Sequence, residues 1–170
     1  MVDLGAGAGR MLTLLGKRAS NALGLDLSQQ MLNIARDEVS KAGLASCELR
    51  HGDIFRTGLP GGCADLVTVH QVLHYLSDPA NAVAEAARLV APGGLLLIAD
   101  FAPHDHEFLR EVHQHRRLGF EDSEIVPWLR AAGLQLENNI ALPPSTGEGL
   151  TVKIWTARRP QSVAAERTAA

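Results

Sequence analysis

The sequence predicts an α/β domain built on a mostly parallel sheet with helices on both faces. Three observations carry this. Short apolar runs of strand length alternate with stretches of helical periodicity along most of the chain. The first apolar run ends in a glycine-rich turn that opens a helix. Only 4% of residues are aromatic against 46% hydrophobic, so the core must be Leu, Val, Ala and Ile, which suits an α/β domain better than an aromatic-rich barrel.

The elements follow in order. Residues 1–4 read as a strand, and residues 9–17, with Met11, Leu12, Leu14 and Leu15, as a helix closed near Gly16. Residues 22–26 are a second strand. Ser28 is an N-cap for a helix whose Met31, Leu32, Ala35 and Val39 recur at helical spacing, with Gly43 beyond its end. Residues 47–50 are a weak third strand, residues 56–62 a glycine- and proline-rich loop, and residues 66–70 a buried strand. Asp78-Pro79 starts an Ala-rich helix that runs to about Val90 and is broken by Pro92-Gly93-Gly94. Residues 95–99 are the most apolar strand. Two helices are expected over 105–117 and 123–132, with Pro127 inside or at the start of the second and an irregular first turn there. Strands at 136–140 and 151–156, joined by the turn residues 143–147, read as an antiparallel hairpin. Residues 158–170 lack periodicity and read as a frayed, disordered tail.

Composition bounds the function. A chain of 170 residues is long enough for one domain that buries about 68–70% of its unfolded surface. No apolar run reaches the roughly 18 residues of a membrane span, and Met1 leads straight into Val2-Asp3 without a basic leader. Cys47 and Cys63 form no CxxC pattern and read as free thiols of a reducing cytoplasm. Net charge is −3, which argues against a nucleic-acid face.

The strongest motif is Asp3-Leu4-Gly5-Ala6-Gly7-Ala8-Gly9. Glycine lets the backbone turn tightly and approach a ligand with no Cβ in the way, and the helix start presents free N–H groups. A dinucleotide fingerprint would need a further glycine, where Arg10 stands instead. The acid two residues before the first glycine fits a ligand with a positively charged amino acid moiety. Asp26 ends the second strand at the spacing where an acid meets ribose hydroxyls in nucleotide-binding α/β folds. Gly52-Asp53-Ile54 follows the third strand. A carboxylate there can accept from an adenine amino group while the apolar neighbour covers the ring, although Gly-Asp is also ordinary turn chemistry. Four histidines fall within residues 104–115. Their i,i+2 spacing puts pairs on different helix faces and no HExxH is present, so no metal site is expected. They read instead as lining of an acceptor pocket or as a solvated face beside Arg116 and Arg117. His74 and His104 are the candidate bases.

With these residues in place, the chain resembles the class I S-adenosylmethionine-dependent methyltransferases, in particular the type 11 branch that acts on small molecules and quinone precursors. Residues 2 to about 157 carry the resemblance. It implies that S-adenosylmethionine is held by Asp3, Gly5, Ala6, Gly7 and Gly9 in the first motif, by Asp26 with Leu27 at the ribose, and by Asp53-Ile54 at the adenine. It also implies that backbone groups around His70, in the stretch 65–74, hold the methionine end. Residues 89–94 match the turn before the fifth strand. The implied sheet has seven strands in the order 3-2-1-4-5-7-6, with only strand seven antiparallel. Residues 100–105, 107–120 and 128–134 are similar to the methyltransferase half of bacterial fusions that carry an ArsR-type winged-helix domain.

The expected function is therefore methyl transfer to a small-molecule acceptor, without nucleic-acid or membrane contact from this chain. The acceptor and the oligomeric state are left open. One alternative is a sensor of S-adenosylmethionine or its homocysteine product in a transcriptional regulator, with little catalysis. Another is a nicotinamide oxidoreductase, which Arg10 and Asp3 disfavour. Because the glycine loop begins at residue five, residues 1–157 are expected to be a methyltransferase domain lacking the N-terminal helices of the resembled family.

Overall fold

The computed structural model describes residues 1–145 and 149–161. Its elements are β1 (Val2–Leu4), α1 (Arg10–Leu15), β2 (Ala22–Asp26), α2 (Gln29–Lys41), β3 (Cys47–His51), β4 (Ala64–His70), α3 (Pro79–Leu89), β5 (Val90–Phe101), α4 (Phe108–His113), α5 (Asp122–Ala131), β6 (Gln135–Leu142) and β7 (Val152–Arg158). The seven strands form one sheet in the order β3-β2-β1-β4-β5-β7-β6. All neighbours are parallel except β7, which runs antiparallel to both β5 and β6. This is the expected Rossmann-like α/β methyltransferase architecture.

Local chemistry accounts for the helix starts. The Ser28 hydroxyl accepts from the Met31 amide at 3.3 Å, and the Asp78 carboxylate accepts from the Asn81 amide at 3.1 Å, with Pro79 at the first helical position. Ala82, Val83, Ala86 and Ala87 then recur on one face of α3 and are fully buried. They pack against β4, β5 and α5, where Val67 and Val69 of β4, Leu96 and Ile98 of β5 and Trp155 of β7 complete the main core. A smaller cluster of Ala6, Leu12, Ala22 and Val39 lies under α1 and α2. Fully buried strands of this kind read as continuous apolar runs.

Several expectations are corrected. The helix expected over 105–117 is only Phe108–His113, because Gln114 turns left-handed at φ 58°. Beyond it the chain crosses back to the end of β5. His104 N donates to Leu118 O at 3.0 Å and Phe120 N to Phe101 O at 2.9 Å. Pro127 does not disturb the first turn of α5. Glu121 and Glu124 form a capping box there, and the proline sits inside the helix. The segment Pro92-Gly93-Gly94 does not break α3, which ends at Leu89 with Val90 already extended; it lies within the span of β5, as an irregularity of the β4–β5 register. Arg158 belongs to β7, and Arg159 exchanges hydrogen bonds with Gly93 and Gly94. The expected tail therefore begins too early, and its residues 162–170 lie outside the described residues, as do Thr146 and Gly147 of the hairpin turn. Among the described residues no helix is long and apolar enough to cross a membrane.

Gly119 holds the returning segment in place. It adopts φ +89°, and a Cβ there would stand 2.1 Å from Ala102 O. Gly119→Ala should lower stability by more than about 1 kcal/mol, because alanine neither tolerates that φ nor fits. Urea denaturation followed by circular dichroism checks this.

Candidate functional site

The carboxyl ends of β1, β2 and β4 and the residues following β3 surround one cavity of about 420 Å³. This is the edge at which open α/β sheets bind ligands, and the size is that of a small-molecule site. Gly5, Gly7, Asp26, Leu27, Asp53 and Ile54 line it, joined by residues from the turn after β4. Another cavity of about 380 Å³ opens at the opposite strand ends, around Met1, Arg18 and Asp65, and contains none of the glycine loop.

The glycine loop is shaped by two constraints. Gly5 has φ +71°, and a Cβ there would lie 2.3 Å from Val72 Cγ2, so only glycine lets the loop pass under the turn after β4. Gly7 has φ +52° and open space where its Cβ would be. The Gly5 and Ala6 amides both donate to Leu25 O, at 2.8 and 3.0 Å. Gly9 caps α1 and packs against Ala35.

Asp26 is fixed at the end of β2. Its Oδ2 accepts from the Gly7 amide and its Oδ1 from the Ser28 amide, each at 2.7 Å. Asp53 is held by the Phe55 amide, which donates to its Oδ1 at 2.9 Å, and Ile54 beside it is buried. Asp3 lies behind the loop. It is buried, and Thr68 Oγ1 donates to its Oδ1 at 2.5 Å. Burial pushes the Asp3 carboxyl up to about 6, with the Asp26 charge adding to the rise and the Thr68 hydrogen bond opposing it.

The sequence-predicted residues thus divide. Gly5, Gly7, Asp26, Leu27, Asp53 and Ile54 meet at the cavity, whereas Asp3, Ala6, Gly9 and His70 support it without lining it. Met31, Phe55, Tyr75 and Leu76 line it and escaped the residue-by-residue reading. Val72, Tyr75 and Leu76 recur at i, i+3, i+4, a signal in the sequence that reads equally as ordinary core. Gln71 lines the cavity at φ 53°, an uncommon conformation for a residue with a side chain.

The candidate bases are placed differently from expectation. His74 does not lie in an open loop. It sits in a 3₁₀ turn, Leu73–Tyr75, with its ring buried and Nδ1 at 2.7 Å from Asp100 Oδ1. His115 lies against it, ring centroids 4.2 Å apart. Nε2 of both His74 and His104 is buried without a partner. Burial pulls the His104 and His115 imidazoles below the ordinary histidine range, and burial together with Arg10 does the same to His70. Among the described residues no three His, Cys, Asp or Glu side chains converge as metal ligands.

The methyltransferase-domain family matches residues 2–98, more than half of the chain. The chain belongs to the S-adenosylmethionine-dependent methyltransferase family. Within that family, this methyltransferase domain is 29% identical over 162 residues to the ubiquinone biosynthesis O-methyltransferase of Methylococcus capsulatus, covering 86% of this chain and 68% of that protein. It is 37% identical over 102 residues to a 37.1 kDa protein of transposon TN4556 from Streptomyces fradiae, covering 58% of this chain. The chain spans 29% of the length of that relative. An S-adenosylmethionine-dependent methyltransferase from Mesorhizobium loti shares the fold at a TM-score of 0.77 and 20% identity, with 93% of this chain and 89% of that chain covered.

The Asp3 geometry yields a pH dependence. Its folded-state pKa lies above the unfolded value, so between about 4 and 6 the folded state binds more protons and stability falls as pH rises. The shift corresponds to about 3 kcal/mol lost above that window. Asp3→Asn removes the buried charge. It should therefore be more stable than the native protein at pH 7.5, with the difference shrinking toward pH 4, as read by urea denaturation across that range.

Proposed function

We propose that the domain binds S-adenosylmethionine in the glycine-loop cavity and transfers its methyl group to a small-molecule acceptor. The observation that carries the reading is the Asp26 carboxylate, oriented at the cavity by two backbone amides. Each of its oxygens keeps a lone pair for a ribose hydroxyl, and the exposed Leu27 stands beside it. Asp53 accepts from the adenine amino group through its unengaged oxygen, while Ile54 and Phe55 cover the ring. Gly5, Ala6, Gly7 and Gly9 let the backbone approach the methionine portion, and the open space at Gly7 fits that close approach. Asp3 does not line the cavity and acts on the ammonium group from behind the loop, through its charge, and a cation there would favour the ionised form that burial disfavours. Main-chain groups after His70 complete this end.

When bound, the cofactor supplies a methyl group already activated by its sulfonium. The protein's share is chiefly alignment, which can contribute about 7–11 kcal/mol. A base adds a factor of roughly 10²–10⁴ where the acceptor must lose a proton. His74 and His104 remain the candidates for that role in this reading, although neither lines the cavity and the Nε2 of each is buried. The hydrogen bond to Asp100 places the His74 proton on Nδ1 and leaves the lone pair on Nε2, where nothing else engages it. The small-molecule assignment draws on the O-methyltransferase relative, and the free thiols of Cys47 and Cys63 fit a reducing cytoplasm.

Asp26→Ala should weaken binding of S-adenosylhomocysteine on the order of a hundredfold, the worth of two charge-assisted hydrogen bonds. Calorimetric titration measures this, and unchanged affinity would refute the ribose assignment. Transfer of labelled methyl to a small-molecule extract by the native chain separates an enzyme from a sensor, which would bind and not turn over.

A further inference from the structure

Leu76 lines the cofactor cavity on one side and a second groove, of about 550 Å³, on the other. Arg110, Arg116 and Arg117 line this groove, together with Glu124. The arginines are rooted on the turn that walls the cofactor cavity. The amides of Arg116 and Arg117 both donate to His74 O, at 2.9 and 3.1 Å, and the next residue, Tyr75, lines that cavity. Arg110 Nη1 donates to Arg116 O at 2.5 Å, which draws the third guanidinium onto the same segment.

The neighbouring carboxylates are largely committed. Glu107 pairs with Arg110 at 2.9 Å. Glu124 meets Arg117 at 3.2 Å with one oxygen and accepts from the Glu121 amide with the other, as part of the α5 cap. Arg116 has no carboxylate partner among the described residues. With Arg110 and Arg117 paired to carboxylates, Arg116 is the uncompensated charge at the groove, and on a chain whose net charge is −3 a single such cation argues for a discrete anion rather than a polyanion. A cleft lined by one sign of charge concentrates the opposite sign, and guanidinium forks match carboxylate and phosphate oxygens.

We propose that this groove is the acceptor subsite and takes the carboxylate or phosphate of an anionic small-molecule methyl acceptor, with Arg116 as its main contact. This rests on the methyl-transfer reading of the adjoining cavity. A solvated surface patch would carry three arginines as well, but it would not share a wall with the cofactor cavity or be bonded to that wall through His74.

The test follows the arginine side-chain NMR signals of the full chain, with and without S-adenosylhomocysteine. Inorganic phosphate and acetate are each titrated at constant ionic strength against chloride. The Arg116 and Arg117 signals should move saturably, and which of the two anions saturates tells phosphate from carboxylate. Arg116→Gln should weaken that binding about tenfold and leave S-adenosylhomocysteine affinity unchanged. In a second arm, the product of labelled methyl transfer to a small-molecule extract should be retained on an anion-exchange resin. Non-saturating shifts equal to those with chloride would overturn the proposal, and so would a labelled product that passes the resin. A native chain that fails to bind S-adenosylhomocysteine would overturn the cofactor reading instead, and the anion titration of the unloaded chain would still decide this one.

Discussion

The carboxylate of Asp26 accepts one hydrogen bond from the Gly7 amide and one from the Ser28 amide, and so joins the loop after β1 to the start of α2. Two segments depend on it, the glycine loop 19 residues before it and the start of α2 two residues after it. Gly7 points its amide at Asp26 in a positive-φ conformation that glycine adopts without strain, and Ser28 caps α2. Gly5 must pass Val72 without a Cβ for the same loop to close. One side of the cavity is thus a consequence of a single side chain satisfied by backbone amides, which are strong partners for a carboxylate.

Asp100 plays the matching part on the other side. Its oxygens accept from Leu73 N at 3.0 Å and Phe101 N at 2.8 Å, and Nδ1 of His74 lies at 2.7 Å. The turn after β4 is held to β5 in this way. His74 passes the restraint on, because its carbonyl holds the amides of Arg116 and Arg117. The wall of the cofactor cavity and the arginine groove beyond it are therefore mechanically one piece. The cavity wall and the groove thus share one backbone anchor, the His74 carbonyl.

Much of this was legible in the sequence where the cause is local. Glycines that need positive φ, an N-cap serine, Asp78-Pro79 and apolar alternation each act within a few residues, and they predict the strand order through the family resemblance they carry. What escaped has distant causes. His74 reads as a loop residue because its partner, Asp100, is 26 residues away. The stretch 105–117 has the composition of a helix, yet it stops at His113 because the following backbone is diverted to His74 O and the end of β5. Propensity is a weak prior against such tertiary bonds. Tyr75 and Leu76 were overlooked because an apolar residue facing a cavity has the same sequence signature as one facing the core.

The energetic costs of the fold gather at this edge of the sheet. Asp3 keeps a carboxyl in a buried position that raises its pKa to about 6, Gln71 holds a positive φ without being glycine, and three imidazole nitrogens, on His74, His104 and His115, are buried without partners. None of these helps the sheet form, since β1 would pair with β2 and β4 equally well with an apolar residue at position 3. Strain and unsatisfied polar groups persist where the surroundings over-determine them, and they cluster at sites of function. In the proposed reading, two of these costs would find relief on binding: the ammonium charge of the cofactor for Asp3, and a proton-donating acceptor for His74. A sheet selected for stability alone would have no reason to concentrate all of them at the carboxyl ends of β1, β4 and β5.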